Sequence, residues 1–210
     1  MTEKIKPLLI SCSVLKAEIL RLIEQGDLDV DVVFVSKLFH VDYALIEENL
    51  RPTIERNMNR SKNGIVLVYG DLCLGPNGEM KQLAAQYGIV KVDALNCTDC
   101  LLGGKGKSLT VDPNHELMIL SPGMNGFFES VQAKAKKEGV EEEALKSLFN
   151  GLRGIVLLDT LDQAEEDRKA AEKIPTGLAI LETKRIGLEG LKQVLTEALT
   201  LSRQKLQKQT

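Results

Sequence analysis

Short runs of aliphatic residues alternate along the chain with longer segments in which apolar residues recur at helical spacing. The runs are apolar at successive positions, which is typical of strands buried on both faces of a parallel sheet. The pattern predicts strands at 8–10, 32–35, 65–69, 89–92, 117–120, 155–158 and 178–181. Because helical segments follow these runs, the pattern indicates an α/β fold.

The segments between the runs predict helices that return the chain to the start of the next strand. They lie at 14–24, 42–59, 80–87, 127–137, 141–149 and 188–206. Asp42 is suited to cap its helix, and Ser121 with Pro122 forms a cap and first-turn pair. We therefore expect a doubly wound, mainly parallel sheet of about seven strands with helices on both faces.

Neither a long polar linker nor a tandem repeat divides the 210 residues. A chain of this length falls within the range of one large α/β domain. We expect residues 1–210 to form a single domain with a polar C-terminal tail at 205–210.

The composition excludes several classes of protein. Hydrophobic residues make up 43% and charged residues 27% of the chain, as in ordinary globular proteins. The net charge of −3, without a long basic run, argues against nucleic-acid binding, which needs a concentrated positive surface. No stretch has the roughly 18–20 apolar residues of a membrane helix, and residues 1–6 show no signal-type apolar core. We therefore expect a cytoplasmic protein without a membrane or nucleic-acid partner.

Four cysteines and one histidine follow predicted strands. Cys12, Cys73 and the pair Cys97 and Cys100 come after the first, third and fourth strands, and His40 comes after the second. We expect the cysteines in loops, at the carboxyl edge where open α/β sheets place their ligands. Thiolates and an imidazole are the ligand set of zinc, and thiolates alone are that of an iron–sulfur cluster. The sequence thus predicts one of these metals on Cys12, Cys73 and Cys100, completed by Cys97 or His40.

Two other interpretations of the cysteines stay open. Cysteine is among the most buried residue types, so the four thiols can be scattered core side chains. Cys97 and Cys100 also have the C-x-x-C spacing of a redox dithiol. Structural disulfides are not expected, because they rarely persist in the cytoplasm.

A basic, glycine-rich segment follows the last two cysteines. It consists of Gly103, Gly104, Lys105 and Gly106, followed by Lys107-Ser108. The ending is typical of a phosphate-binding loop, but Leu101 stands where such a loop needs its first glycine. We expect a flexible lid whose main-chain amides bind an anion, and not a nucleotide site.

Short motifs spread over nearly the whole chain form a set. They are Cys12 before Val14-Leu15 and an acidic helix, Leu38-x-His40, Tyr69-Gly70 before a cysteine, Asp99-Cys100-Leu101-Leu102-Gly103, the strand 155–160 and the helix start 188–191. In this combination the chain resembles an uncharacterised domain-of-unknown-function family. That family is common in methanogenic archaea and anaerobic bacteria, and is often encoded near corrinoid-dependent methyltransferases.

The resemblance implies functional positions at Cys12, His40, Cys73 and Asp99-Cys100. The chain departs from the family pattern twice, because Cys73 lies one residue further along and Cys97 has no counterpart. The extra thiol favours a four-thiolate site. The setting of the family implies anaerobic one-carbon metabolism, with a corrinoid protein or a methyltransferase as partner.

Three functions stay open at this point. An open thiolate–metal site could activate a thiol or one-carbon substrate as a Lewis acid, in an accessory or catalytic role. A closed site could carry a metal or cluster to a partner, with the glycine-rich lid as the contact. A metal-free domain could bind a small anion. We expect a metal-binding protein, and no general base or nucleophile triad stands out that would identify an enzyme.

Overall fold

Hydrogen bonding divides the strands into two parallel sheets. The computed structural model of the chain describes residues 6–59 and 61–208. The first sheet contains β1 (Leu8–Cys12), β2 (Asp31–Val35), β3 (Ile65–Val68) and β4 (Val90–Lys91), in the order β2-β1-β3-β4. The second contains β5 (Leu117–Leu120), β6 (Gly154–Asp159) and β7 (Ile180–Arg185), in the order β5-β6-β7. All neighbouring strands are parallel.

Helices connect these strands throughout. They are α1 (Lys16–Glu24), α2 (Tyr43–Met58), α3 (Glu79–Gln86), α4 (Cys97–Leu102), α5 (Pro122–Lys137), α6 (Glu142–Ser147), α7 (Ala164–Ala171) and α8 (Glu189–Gln207). Short 3₁₀ turns lie at Ser13–Leu15, Lys37–Val41, Asp71–Leu74 and Lys107–Thr110. Within the part of the chain that the structure describes, no helix is both long and apolar enough to cross a membrane.

One apolar core connects the two sheets. Leu9 and Val66 of the first sheet share a buried cluster with Val156 and Leu158 of the second. Side chains of α1 and α8 fill the same cluster, including Ile19, Leu22, Leu191 and Leu195. These two helices therefore pack against both sheets, and burying their apolar faces stabilises the whole assembly.

The expected fold class is confirmed, with seven parallel strands among the described residues and helices around them. The strands form two sheets, however, and not the one continuous sheet that the sequence suggested. β4 is only two residues long, so the first sheet ends at a short edge beside α8. Apolar runs predict where strands form but not which strands pair.

Several elements differ from their predictions. β7 extends to Arg185, well beyond the predicted 178–181, because it is an edge strand in which the exposed Glu182 interrupts the apolar pattern. The sequence pattern misses α7, whose residues carry no apolar stripe. α8 remains helical to Gln207 inside the predicted polar tail. Residues 209–210 of that tail, and residues 1–5 of the segment expected to lack a signal, lie outside the described residues.

The carboxyl ends of the two sheets meet at one contact, which we call the sheet junction. There the turn Ser13–Leu15, which follows β1, packs against the first turn of α5, which follows β5. Gly123 lies so close to the main-chain oxygen of Val14 that a Cβ atom would overlap with it. The Lys37 ammonium group donates a hydrogen bond to the main-chain oxygen of Gly123, at 3.0 Å. The junction therefore depends on a glycine at position 123.

Candidate functional site

Strand register brings Cys12 and Cys73 to the same edge of the first sheet. β1 and β3 are parallel, and Ser11 pairs with Val68. Cys12 ends β1, and Cys73 lies in the turn Asp71–Leu74 that follows β3. The prediction that these two cysteines share one edge is confirmed.

Cys97 and Cys100 reach this edge because the segments after β3 and β4 are hydrogen-bonded together. The main-chain N–H groups of Asp71 and Leu72 donate to the oxygens of Ala94 and Leu95, at 2.8 and 3.0 Å. Gly70 allows this approach, since a Cβ atom at position 70 would overlap with the main chain of Leu95. The pattern of the sequence does not identify Gly70 as a positioning residue.

The prediction that the cysteines lie in loops holds for Cys73, which lies in a turn, and is wrong for the other three. Cys12 is the last residue of β1, and Cys97 and Cys100 belong to α4. The Asn96 side chain accepts a hydrogen bond from the N–H of Asp99 at 2.9 Å and caps this short helix. Cys97 and Cys100 therefore lie three residues apart on one helical face.

The four cysteines form one group, which we call the thiol cluster. All four are free thiols; Cys12 and Cys100 are buried, and Cys73 and Cys97 are partly buried. Burial raises the pKa of Cys12, Cys73 and Cys97 to about 12, and it raises the pKa of Cys100 well above its ordinary value. Cys12, Cys73 and Cys97 contribute to one apolar cluster, and Cys97 and Cys100 contribute to another. The interpretation as core thiols therefore stays open beside the interpretation as a metal site.

Four cysteine thiols are a donor set that suits a soft metal. Among residues 6–59 and 61–208, no three His, Cys, Asp or Glu side chains already stand in the geometry of a metal site. The hydrogen bonds to the sulfurs are weak, as in the 3.4 Å contact from the Val14 N–H to Cys12 Sγ. The four thiols are therefore neutral, protonated side chains.

His40 lies at the border of the thiol cluster. Its ring centroid is 6.1 Å from that of Tyr69, and the pKa of Tyr69 is raised by burial and then by the charges of Cys12, Cys73 and Cys97. Burial lowers the pKa of His40, and its Nε2 atom is buried without a hydrogen-bond partner among the described residues. The imidazole is therefore neutral, as a metal ligand must be.

A cluster of lysines adjoins the thiols. The Asp71 carboxylate pairs with Lys81, Lys91 and Lys105 at 2.9, 2.6 and 3.2 Å. Burial acts to raise the pKa of Asp71, but the lysines hold it at about 2. The charge of Lys91, whose side chain is only 10% exposed, also acts to lower the pKa of Cys73 and Cys100. The feature of the sequence that could have indicated this cluster is Lys91, a lysine inside the apolar run 89–92.

The glycine-rich segment is organised around Asp99. Its carboxylate accepts hydrogen bonds from the N–H groups of Leu95, Gly106 and Ser108, at 3.0, 2.8 and 2.8 Å. The N–H of Gly104 donates to the main-chain oxygen of Asp99, and the Gly103 N–H does so as well. The anion that these amides bind in the structure is thus the carboxylate of the chain itself.

One comparison with known proteins gives a match. A family model described as "Protein of unknown function (DUF1638)" matches residues 34–197. Neither the curated proteins nor the solved structures contain a match. The matched range includes three cysteines of the thiol cluster and His40, whereas Cys12 precedes it.

Proposed function

The chain belongs to the DUF1638 family, and we propose that it is a metal-binding protein whose thiol cluster holds zinc or an iron–sulfur cluster. One observation carries this proposal: four free cysteines from β1, the turn Asp71–Leu74 and α4 lie at the same edge of the first sheet, and Cys12, Cys73 and Cys97 contribute to one apolar cluster there. Neutral thiols need no such grouping, whereas a soft cation is stabilised by four thiolates at once. Binding would draw the sulfur atoms closer together and release their protons.

Cys12, Cys73, Cys97 and Cys100 are the proposed ligands. Lys91 supports them because four thiolates around one divalent ion leave a net negative charge, and its ammonium group is the nearly buried cation beside Cys73 and Cys100. His40 is the alternative fourth ligand. In that case three thiolates and one neutral imidazole nitrogen would bind the metal. A bound metal with an open position would supply Lewis-acid chemistry.

The proposed setting is cytoplasmic, in anaerobic one-carbon metabolism. It rests on the resemblance to a family encoded near corrinoid-dependent methyltransferases, and the partner would be a corrinoid protein or a methyltransferase. In this setting the protein would act as an accessory or catalytic metal protein. A carrier that delivers its metal or cluster to the partner is the second candidate, supported by the same thiols.

The metal-free anion-binding alternative is less favoured. The N–H groups of Gly106 and Ser108 already donate to the Asp99 carboxylate, and the Lys105 ammonium group pairs with Asp71. An external anion would have to displace these internal partners.

Metal analysis of the full chain, purified without oxygen, tests the proposal. We expect about one zinc ion per chain and no colour, or iron with sulfide and a brown, oxygen-labile absorption. Cys73→Ser should release the metal. Leu72→Ser is the matched control, because Leu72 is an exposed residue of the same turn.

A metal content well below one per chain, not restored by zinc or by iron with sulfide, would contradict the proposal. Full metal retention in Cys73→Ser would contradict the ligand set. Binding of the loaded protein and of Cys73→Ser to a purified corrinoid protein, measured by sedimentation, tests the partner. Equal binding by the two forms would show that binding of the partner does not depend on the metal.

A further inference from the structure

A second group of buried polar side chains lies at the sheet junction, away from the lysine cluster. Glu18 of α1 is completely buried, and its Oε1 atom accepts a hydrogen bond of 2.9 Å from the Thr160 hydroxyl, next to the end of β6. A carboxyl group fully removed from water is costly unless a partner compensates for it. Thr160 satisfies only one of its two oxygens, and the Oε2 atom has no hydrogen-bond partner among the described residues.

Asn125 and Asp167 extend this group into the second sheet. Asn125 lies in the first turn of α5, is 3% exposed and donates its Nδ2 hydrogen to the main-chain oxygen of Asp167 at 3.3 Å. Its own Oδ1 atom is buried without a hydrogen-bond partner in the described part of the chain, as are Asp167 Oδ2 and Ser121 Oγ. Buried polar atoms are almost always paired, so several unpaired oxygens in one region require an explanation.

The group has many acceptors and few cations. Burial raises the pKa of Asp167 to about 6, and the charges of Asp159 and Glu166 add to this effect. Burial also raises the pKa of Glu18, with a further contribution from Asp167. Lys37 acts on Glu18 in the opposite direction, but its ammonium group is hydrogen-bonded to Gly123. The local charge is therefore poorly compensated.

A shallow acidic depression lies on the surface beside the end of β6. It has a volume of about 570 Å³ and is lined by Asp159, Asp162, Ala164, Glu165, Glu166 and Arg185. Asp159 lies in this depression and also acts on the buried Asp167. A cation attracted by the surface carboxylates would reach the junction along this side of β6.

We propose that the sheet junction binds one hard divalent cation of the magnesium type through side-chain oxygens of Glu18, Asn125 and Asp167. Carboxylate and amide oxygens are the ligands that such cations prefer, and soft thiols are not. Mg²⁺ is often bound by one or two carboxylates while it keeps several waters. This set therefore needs no third acidic side chain.

The cation would clamp the two halves of the molecule. Glu18 belongs to α1, which connects β1 and β2 of the first sheet. Asn125 and Asp167 belong to helices around the second sheet. An ion shared by these residues binds only when the junction is closed, so it stabilises the closed form by mass action. The site and the thiol cluster prefer different metals, but the Glu18 carboxylate also contributes, after burial, to the raised pKa of Cys97.

Titration of the full, chelator-treated chain with Mn²⁺, followed by electron paramagnetic resonance, tests the site. We expect one saturable Mn²⁺ per chain, displaced by Mg²⁺, and a rise in melting temperature with Mg²⁺. Asp167→Asn should weaken Mn²⁺ binding at least tenfold. Asp162→Asn, which removes an exposed carboxylate nearby, should change it less than threefold. Cys73→Ser should bind Mn²⁺ as the parent chain does, which separates this site from the thiol cluster.

Absence of saturable Mn²⁺ binding at millimolar concentration would overturn the proposal. Equal weakening by Asp162→Asn and Asp167→Asn would also overturn it, because it would show a diffuse surface effect. If circular dichroism shows that Asp167→Asn fails to fold, Asn125→Ala replaces it with the same expected loss of binding. Unchanged binding in Asn125→Ala would then exclude the site.

Discussion

The Lys91 ammonium group lies 2.6 Å from the Asp71 carboxylate, beside Cys73 and Cys100 of the thiol cluster. This pair places a nearly buried positive charge beside sulfur atoms that must become thiolates to bind a metal. The lysine therefore connects the stability of the first sheet's edge to the chemistry of the site.

Lys91→Met is expected to destabilise the fold and to weaken metal binding. Asp71 would keep only Lys81 and Lys105, which are more exposed, so we expect a loss of about 1–3 kcal/mol in the free energy of unfolding. Urea unfolding measures this loss, and competition with a zinc chelator measures the affinity. Lys81→Met, whose side chain is 55% exposed, is the control with a smaller effect. Equal effects of the two variants would contradict the special role of Lys91.

Asp99→Asn is expected to loosen the glycine-rich segment. The carboxylate accepts three main-chain N–H groups, and an amide would turn a donor toward at least one of them. We expect a loss of about 3 kcal/mol in the free energy of unfolding. Amide hydrogen exchange should become faster at Gly106 and Ser108. Asp93→Asn, at an exposed position before α4, should leave both measurements near the parent values, and unchanged exchange in Asp99→Asn would contradict the prediction.

Gly123→Ala is expected to disrupt the sheet junction. The added Cβ atom would overlap with the main-chain oxygen of Val14, and rigid backbone cannot move aside cheaply. We expect a loss of about 3 kcal/mol or more in thermal or urea unfolding. Gly126→Ala in the same helix is the control with a smaller effect, because its Cβ meets the flexible end of Lys37 and displaces at most the hydrogen bond from Lys37 to Gly123. A loss below about 1 kcal/mol for Gly123→Ala would show that Gly123 and the main chain of Val14 are not in close contact.

Metal removal is expected to leave thiols that react slowly. The sulfur atoms are mostly buried, so a thiol reagent at pH 7 should modify the native, metal-free chain roughly a hundredfold more slowly than the unfolded chain. All four cysteines should react after unfolding in urea. Rapid reaction of Cys97 and Cys100, followed by a disulfide between them, would instead favour the redox dithiol.

The sequence pattern predicted the elements that are apolar throughout. β5 was predicted with its observed bounds, and α2 begins after its Asp42 cap as expected. The pattern failed where an element presents a polar side to solvent, as in β7 and α7. Separation into two sheets depends on pairing across long stretches of chain, and this is not encoded in the local pattern.

The candidate site could be predicted only in part. The position of the cysteines after apolar runs placed Cys12 and Cys73 at one sheet edge, because parallel strands share their direction. The helix α4 was missed, since six residues with one apolar pair give little periodicity. Glu18 was missed because a glutamate on a helix ordinarily faces solvent, and only the junction with Thr160 shows that it is buried.

The close contact of Gly123 with Val14 has a consequence for synthesis of the chain. Ribosomes deliver the N-terminus first, and N-terminal parts of a protein can fold before later parts exist. All four cysteines lie at or before position 100, so they emerge before Gly123 does. If the chain binds a metal as proposed, the complete set of thiols would be present on the nascent chain before α5, the helix that packs against the turn after β1.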